Sequence, residues 1–113
     1  MATEEIPRAL WPAFFRELSD RRGATPISLH TFEPTMRGEA ATQEGAFEGA
    51  AARDGKVSLL LADGSGHRIS RGFEAARVWQ ELAAEGTEEI EIDAADGSRT
   101  MLDFPPAVRG PRP

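Results

Sequence analysis

The sequence predicts an α+β fold in which an N-terminal helix packs on an antiparallel sheet of five to seven strands, with a partial barrel as a variant. The first observation is the densest apolar segment, where Trp11, Phe14, Phe15 and Leu18 fall on one stripe of a helix. The second is that the rest of the chain reads as short strands separated by turn signals. An apolar stripe must be covered, and one face of a sheet is its simplest cover.

We expect residues 6–104 to form a single α+β domain, because a chain of 113 residues fits one modest hydrophobic core. The five residues before this range are polar and are predicted to fray. The tail 105–113 is rich in proline, which cannot donate to a strand ladder, so it is predicted to be disordered.

The helix is predicted to run from Pro12 to Arg22, after a short turn that begins at Arg8. Proline suits the first turn because it has no N–H to contribute and its φ is already near helical. Arg21 and Arg22 suit the carbonyl end of the helix dipole, and Gly23 is predicted to cap the helix in the left-handed conformation.

A strand and a hairpin are predicted after the helix. Residues 26–32 alternate apolar and polar side chains, as a half-buried strand does. Residues 33–42 have no period and are predicted to be a loop, whose length is a weak pointer to a site. Residues 43–53 form a poor strand by propensity, but the turn signal at Asp54-Gly55 pairs them with the hydrophobic strand 56–62.

The segment 73–85 fits two structures. It follows a short predicted strand at 67–70, and its helix propensity is good. A strand would need only residues 76–82 and would alternate less tidily, with one face formed by Ala76, Val78, Gln80 and Leu82 and the other by Arg77, Trp79 and Glu81. Propensity and spacing favour the helix.

The last hairpin is the clearest β signal. Residues 89–93 alternate strictly, Asp96-Gly97 marks the turn, and residues 99–104 return. The side chains predicted to face the core are Ile90, Ile92, Leu102 and Phe104.

Two segments together resemble a known family. The N-terminal one is Ile6-Pro7-Arg8 followed by Trp11-Pro12-Ala13-Phe14-Phe15, and the C-terminal one is Ile90-Glu91-Ile92 followed by Thr100-Met101-Leu102-Asp103-Phe104. With its Ile-Pro-Arg-x-x-Trp-Pro-x-Phe-Phe motif, this pattern resembles a family of small bacterial proteins defined as a domain of unknown function. The resemblance implies that residues 76–82 form a strand, although the alanine-rich stretch 74–84 departs from the family pattern. It implies no activity, cofactor or catalytic residue.

Composition and charge exclude several classes of function. The formal net charge is −6, so the whole-protein field repels nucleic acid and anionic membranes. The chain has no cysteine, which excludes disulfides, thiol nucleophiles and zinc-thiolate sites. The N-terminus is acidic and precedes no apolar run, and no segment approaches the length of a membrane span. We therefore expect a soluble cytoplasmic protein.

Acid–base chemistry would have to use His67 or His30 together with Asp63. A turn aspartate that bonds its own backbone beside an exposed histidine explains the Asp63–His67 spacing more simply. The glycine-rich turn around Ser65 lacks the lysine and the helix of a phosphate loop. The sequence therefore predicts no catalytic residue, no cofactor and no metal site.

Two charged clusters have both functional and structural explanations. An acidic run raises a calcium or basic-partner hypothesis, but a solvated outer strand face explains it more simply; its members are Glu85, Glu88, Glu89, Glu91 and Asp93. An arginine cluster on or near the helix raises the hypothesis of Sm-like RNA binding, which the net charge disfavours; its members are Arg8, Arg16, Arg21 and Arg22.

The function predicted from the sequence is a non-catalytic binding or structural module that self-associates or contacts another protein. The first alternative is a small hydrolase or isomerase that uses His67 or His30 with Asp63. The second is an Sm-like RNA-binding module.

Overall fold

The computed structural model describes residues 2–33 and 40–106, except for the side chains of residues 2 and 40. It is mainly β, with one helix packed on an antiparallel sheet, which is the predicted class in its coarse form. A single 3₁₀ turn at Arg8–Leu10 precedes the helix α1 at Trp11–Arg22. The strands are β1 (Ala2–Glu5), β2 (Thr25–Phe32), β3 (Ala40–Arg53), β4 (Lys56–Ala62), β5 (Arg68–Leu82), β6 (Glu88–Ala94) and β7 (Arg99–Phe104).

Six of these strands close into a barrel. Each strand pairs antiparallel with its neighbours in the order β5-β4-β3-β2-β7-β6, and β6 pairs back onto β5. Closure is possible because β5 bends: its first half pairs with β4, its second half pairs with β6, and a register shift between Ala75 and Arg77 separates the halves. A similar shift between Phe47 and Gly49 bends β3. The strand β1 pairs with the second half of β5 outside this ring.

The helix stripe is buried as the sequence predicts. Trp11 is 2% exposed, Phe15 and Leu18 are fully buried, and Phe14 packs on the same core from its edge. The indole N–H of Trp11 also donates to the carbonyl of Ile6 at 2.8 Å. The inward residues of the barrel that complete this core are Ile27, Leu29, Phe47, Val57, Leu59, Leu61, Ala75, Val78, Ile90, Ile92, Leu102 and Phe104.

One serine joins the helix to β3. The hydroxyl of Ser19 accepts a hydrogen bond from the Ala50 N–H at 2.8 Å, and it lies 2.8 Å from the Phe15 carbonyl to which it donates. Helix and strand are thus fixed by a polar contact as well as by apolar packing.

The turn predicted at the β3–β4 hairpin is present, but the left-handed glycine cap predicted at the end of the helix is not. Asp54 and Gly55 both have positive φ, 53° and 80°, as a two-residue hairpin turn of type I′ requires. Gly23 is extended instead of left-handed, and the positive φ of 66° belongs to Ala24. Glycine is needed at position 23 for a different reason: a Cβ there would lie 2.9 Å from the carbonyl oxygen of Ser19.

Three predicted boundaries are wrong because strand pairing between distant residues overrides the local sequence. Residues 2–5 form β1 instead of fraying, since they pair with the end of β5. Residues 40–42 belong to β3 instead of the predicted loop, since they pair with β2. The predicted short strand at 67–70 is the beginning of β5, which continues without interruption to Leu82.

The ambiguous segment is a strand. Residues 76–82 lie in the second half of β5, as the family resemblance implies, and the helix favoured by propensity is wrong. Pairing with β6 on one edge and β1 on the other overrides the good helix propensity of its alanines and glutamates. The remaining residues of the predicted 33–42 loop, 34–39, and most of the 105–113 tail, 107–113, lie outside the described residues.

One member of the acidic run, Glu88, is buried instead of solvated. It is 1% exposed because β6 begins at this residue and the alternation that buries Ile90 and Ile92 also turns position 88 inward. The guanidinium of Arg21 donates to both carboxylate oxygens, at 2.7 and 3.1 Å. Further hydrogen bonds come from Arg22 Nε at 3.1 Å and Gln80 Nε2 at 2.7 Å.

These contacts keep the buried carboxylate charged. Burial by itself raises the pKa of Glu88, but the hydrogen bonds from Arg21 and Gln80 outweigh burial and hold the pKa below its ordinary value. The cluster therefore fastens the last turn of α1 to the start of β6. Across the described residues, no helix combines the length and the hydropathy needed to cross a membrane.

Candidate functional site

The outer surface of four neighbouring strands carries most of the carboxylates of the barrel wall. Because alternate residues of a strand face opposite sides, burial of the inward residues fixes which side chains face outward. We call the outward surface of the second half of β5 with β6, β7 and β2 the acidic face. Its carboxylates are Glu81, Glu89, Glu91, Asp93 and Asp103, and its other notable side chains are Trp79, Met101, Arg99, His30 and Phe32.

Three carboxylates of this face stand directly opposite one another on adjacent strands. Glu81 on β5 pairs in register with Glu89 on β6, and Glu89 pairs with Asp103 on β7. We call these three residues the acidic row. Side chains directly opposite in an antiparallel pair have Cβ atoms about 5 Å apart, so like charges there destabilise the fold.

The electrostatic effect is concentrated at the centre of the row. Partial burial raises the pKa of Glu89 to about 7, with further contributions from a hydrogen bond to Asp103 and from the charges of Asp103, Glu81 and Glu91. Glu89 therefore changes charge near neutral pH. Few carboxyl groups do so unless they are crowded or desolvated.

One step along the strands, the protein supplies its own cation. Arg99 Nε lies 3.0 Å from Glu91 Oε2 and 3.2 Å from Asp93 Oδ1, so one guanidinium bridges two carboxylates. Burial and a hydrogen bond to Asp93 raise the pKa of Glu91, whereas the charge of Arg99 lowers it. Among residues 2–33 and 40–106, no lysine or arginine nitrogen lies within 4 Å of Glu81 or Glu89.

A half-buried tryptophan lies within this charged surface. Trp79 is opposite Glu5 on β1 and Glu91 on β6, and it is two residues from Glu81 on the same strand. The ring borders a cleft of about 320 Å³, whose lining includes Glu81, Glu89 and Arg99. A second cleft of about 570 Å³ opens on the other side of the acidic row, where Glu44 and Asp103 contribute to its wall.

The structure separates the two histidines of the enzyme hypothesis. His67 lies with Asp63 in the β4–β5 turn, where its Nδ1 is 3.6 Å from Asp63 Oδ2 and its side chain is 82% exposed. His30 lies on the acidic face instead, with its Nε2 2.9 Å from Asp103 Oδ2 and its Nδ1 3.1 Å from Thr42 Oγ1.

The contacts of Asp63 are those of a structural turn. Its Oδ1 accepts hydrogen bonds from the backbone N–H groups of Ser65 and His67, both at 2.9 Å, and from the Ser65 hydroxyl at 2.8 Å. The Ser65 hydroxyl bond and these backbone bonds hold the pKa of Asp63 below its ordinary value. The carboxylate therefore stabilises the turn in which it lies.

Three of the four arginines on or near the helix contact other groups of the protein, and Arg16 is exposed. Arg21 and Arg22 bind Glu88, and Arg22 also donates to the carbonyl of Pro105 at 2.8 Å. Arg8 stacks over the ring of Trp11, 5.6 Å from its centroid. No group of three or more His, Asp or Glu residues that could hold a metal ion occurs in the part of the chain that the structure describes.

The acidic face joins residues that sequence reasoning treated separately. The alternation of residues 89–93 indicated an outer acidic strand, and the strand reading of residues 76–82 placed Arg77, Trp79 and Glu81 on one side. The sequence predicts Asp103 only as a member of the second strand of the last hairpin, residues 99–104. The signal that unites them is the register of β5, β6 and β7, and no local pattern encodes it.

No family model matches the chain, and no curated protein matches it. Among solved structures, the chain is similar to the pleckstrin homology (PH) domain of USP37, with 21% sequence identity and a TM-score of 0.44. That alignment covers 71% of this chain and 80% of that chain. Similarity at this level assigns no function to this chain.

Proposed function

We propose that this protein is a non-catalytic binding module that contacts another protein through the acidic face, and that the contacting surface of the partner is basic. The observation that carries the proposal is the acidic row. Glu81, Glu89 and Asp103 face one another on three adjacent strands, and the described residues supply no lysine or arginine to Glu81 or Glu89.

The free energy of this arrangement favours a cationic partner. Opposed carboxylates lower the stability of the isolated protein, and a basic group placed between them removes that repulsion. Bringing the same basic group to an isolated surface carboxylate gains much less free energy, because exposed ion pairs contribute only about 0–1 kcal/mol.

The uncharged residues of the face also suit a protein contact. Trp79 and Met101 are half-buried on the outer surface, between the carboxylates. Aromatic residues and methionine are enriched in the centres of protein interfaces, where charged residues form the rim. The outer wall of the barrel, with such a centre, can add apolar contact area to the electrostatic attraction.

Charge also favours a partner protein over a second copy of the chain. Two acidic faces brought together would repel, and the whole protein carries a formal net charge of −6. A basic partner is attracted by both the face and the field of the whole molecule.

The test compares immobilised wild-type protein with two double variants in an extract of the source cell. Glu81→Lys/Glu89→Lys inverts the acidic row, and Glu17→Lys/Asp20→Lys makes the same charge change at exposed positions of the helix. We expect a basic protein that wild type and the second variant retain and the first variant loses. That protein, once identified and purified, should bind wild type directly with the same dependence.

Two outcomes contradict the proposal. In the first, no purified protein distinguishes the two double variants. In the second, sedimentation shows an oligomer of the wild type that Glu81→Lys/Glu89→Lys dissociates, which would make a second copy the occupant of the face.

The enzyme alternative, which uses His67 or His30 with Asp63, has less support. His67 does contact Ser65 and Asp63, but the carboxylate is already bonded to its own turn. The RNA-binding alternative has less support as well, because the contacts of Arg21 and Arg22 are directed to Glu88. Turnover that His67→Ala abolishes would favour the first alternative, and salt-sensitive retention on RNA would favour the second.

A further inference from the structure

The surroundings of Trp79 are more specific than those of the rest of the acidic face. Glu5 and Glu91 flank the ring from the neighbouring strands, and Glu81 lies next along the same side of β5. Glu89 stands opposite Glu81. Four carboxylates therefore lie around the ring, together with Arg77, which precedes Trp79 on the same side of β5. Of the four carboxylates, Arg99 contacts only Glu91.

These groups enclose a defined space. By the register of β5, β6 and β7, the cleft of about 320 Å³ has Glu81 and Glu89 at one end, Trp79 and Glu91 in the middle, and Arg77 and Arg99 at the other end. We call the part formed by Trp79, Glu81 and Glu89 the Trp79 cleft. Within the described residues, the cations that lie over aromatic rings are Arg8 over Trp11 and Arg22 over Phe104, so the ring of Trp79 carries none.

Arg99 shows which chemistry this surface accommodates. Its guanidinium lies between the carboxylates of Glu91 and Asp93, at 3.0 and 3.2 Å. Glu89 and Glu81 present two carboxylates on the same surface one step along the strands, with an aromatic ring beside them. A guanidinium placed between Glu81 and Glu89 would repeat that pattern.

We propose that the Trp79 cleft binds the guanidinium group of an arginine from an extended basic segment of the partner, with the Trp79 ring on its flat side and the Glu81 and Glu89 carboxylates on its edge. This inference rests on the proposed function, because it specifies the partner of the same face. The ligand class is an arginine side chain in a peptide, and no covalent step is involved.

Arginine fits the cleft better than lysine for two physical reasons. The planar guanidinium presents several N–H donors in a fork that can bond two carboxylates, and its flat surface stacks on an indole ring. The ammonium group of lysine is compact and strongly hydrated, so it loses more solvation and gains no stacking.

The crowded carboxylates give the binding event a proton signature. A cation beside Glu89 favours its charged form, so the pKa of about 7 falls and protons are released when the ligand binds near neutral pH. The groups that face Glu89 are Glu81 from β5, Asp103 from β7 and Glu91 on its own strand, with His30 from β2 reached through Asp103.

The experiment uses a blocked hexa-arginine peptide, with hexa-lysine and hexa-glutamine peptides as comparisons. Trp11 is 2% exposed, so a change in fluorescence on titration reports on Trp79. We expect hexa-arginine to bind about tenfold more tightly than hexa-lysine and hexa-glutamine not to bind. Calorimetry in two buffers of different ionisation enthalpy should show proton release close to pH 7.

Variants assign the binding to the cleft. By calorimetry, which does not depend on the Trp79 fluorescence, Trp79→Ala and Glu81→Gln/Glu89→Gln should each weaken hexa-arginine binding about tenfold or more, and Glu89→Gln alone should abolish the proton release. Trp79→Phe should retain part of the affinity because it keeps an aromatic face. The matched control, Asp20→Asn/Asp54→Asn, changes the net charge equally and should leave the affinity within about twofold.

If the control and Glu81→Gln/Glu89→Gln lost equal affinity for hexa-arginine, the inference would be overturned, because the whole surface and not the cleft would then attract the peptide. Equal affinity for hexa-lysine and hexa-arginine would also overturn it. If neither peptide binds but a purified partner still depends on Glu81 and Glu89, the inference fails and the proposed function stands. If the partner dependence is missing as well, both fail.

Discussion

At the scale of single residues, Glu89 combines a raised pKa with a central position on the acidic face. Its carboxyl is opposed by Glu81 on one side and Asp103 on the other. The same crowding that destabilises the isolated protein makes the residue responsive to a cation. Because folding raises the pKa of Glu89, the contribution of this carboxyl group to stability should decrease as the pH rises.

We predict that Glu89→Gln stabilises the protein at about pH 8 by on the order of 1 kcal/mol, discounted for partial exposure, and has little effect below about pH 4.5. The folded-state pKa of about 7 is raised, so the folded protein holds this proton after the unfolded chain has lost it. The stability that the protonated carboxyl of Glu89 contributes to the wild type is therefore lost as the pH rises from about 4.5 to about 7. Urea unfolding across this range measures the effect, and a pH-independent difference would contradict it.

The two tryptophans allow a matched comparison between a core and a surface position. Trp11→Ala should lower the free energy of unfolding by about 3–5 kcal/mol, because the ring is 2% exposed and its N–H bonds the Ile6 carbonyl. Trp79→Ala should cost about 1 kcal/mol, because this ring lies on the outer surface. Denaturant unfolding of both variants checks the prediction, and a loss under about 1 kcal/mol for Trp11→Ala would refute the buried stripe.

At the scale of elements, two polar contacts join the C-terminal half of the helix to two different strands of the barrel. Ser19 bonds Ala50 on β3, and the guanidinium groups of Arg21 and Arg22 converge on Glu88 at the start of β6. Breaking the second contact leaves the buried guanidinium of Arg22 without its anionic partner, while the Pro105 carbonyl still accepts a hydrogen bond from it. The position of the helix is thus sensitive to one carboxylate.

Replacing that carboxylate, by Glu88→Ala, should cost about 3–5 kcal/mol of unfolding free energy, because the partners of a buried ion pair are left without compensation. The control is Glu85→Ala, which removes an exposed carboxylate from the adjacent turn and should change stability by less than about 0.5 kcal/mol. Thermal and urea unfolding give both values. Similar stabilities for the two variants would show that the cluster contributes little.

At the scale of the whole molecule, negative charge is unevenly distributed. The formal net charge is −6, and the acidic row concentrates carboxylates on one side of the barrel. Salt screens repulsion between exposed charges over about 8–10 Å at moderate ionic strength. The stability of the free protein should therefore increase with salt, while attraction to a basic partner decreases.

We expect that raising sodium chloride from about 0.05 M to about 0.5 M at about pH 8 increases the free energy of unfolding by roughly 0.5–1 kcal/mol. Glu81→Gln/Glu89→Gln should reduce this increase, because it removes opposed charges, whereas Asp20→Asn/Asp54→Asn should reduce it less. Urea titrations at the two salt concentrations measure the difference. If both double variants changed the salt response equally, the repulsion would arise from the net charge of the whole protein and not from the acidic row.

The local sequence determined the elements whose signal is periodic or depends on a turn residue. The spacing of Trp11, Phe15 and Leu18 predicted the helix and its buried side, and the alternation around Ile90 and Ile92 predicted β6 and its inward face. The Asp54-Gly55 pair predicted a hairpin turn. These features depend on contacts within a few residues, so a short window contains the information.

Tertiary pairing alone decided the remaining features, because their energy comes from residues far apart in the sequence. β1 and the strand structure of residues 76–82 depend on pairing that local propensity opposes, and burial of Glu88 depends on the position of α1. The acidic row requires the registers of β5, β6 and β7 together. The sequence by itself determined that Glu89 lies on a charged strand, and only the tertiary structure placed Glu81, Asp103 and Trp79 around it, since register is set by the whole barrel.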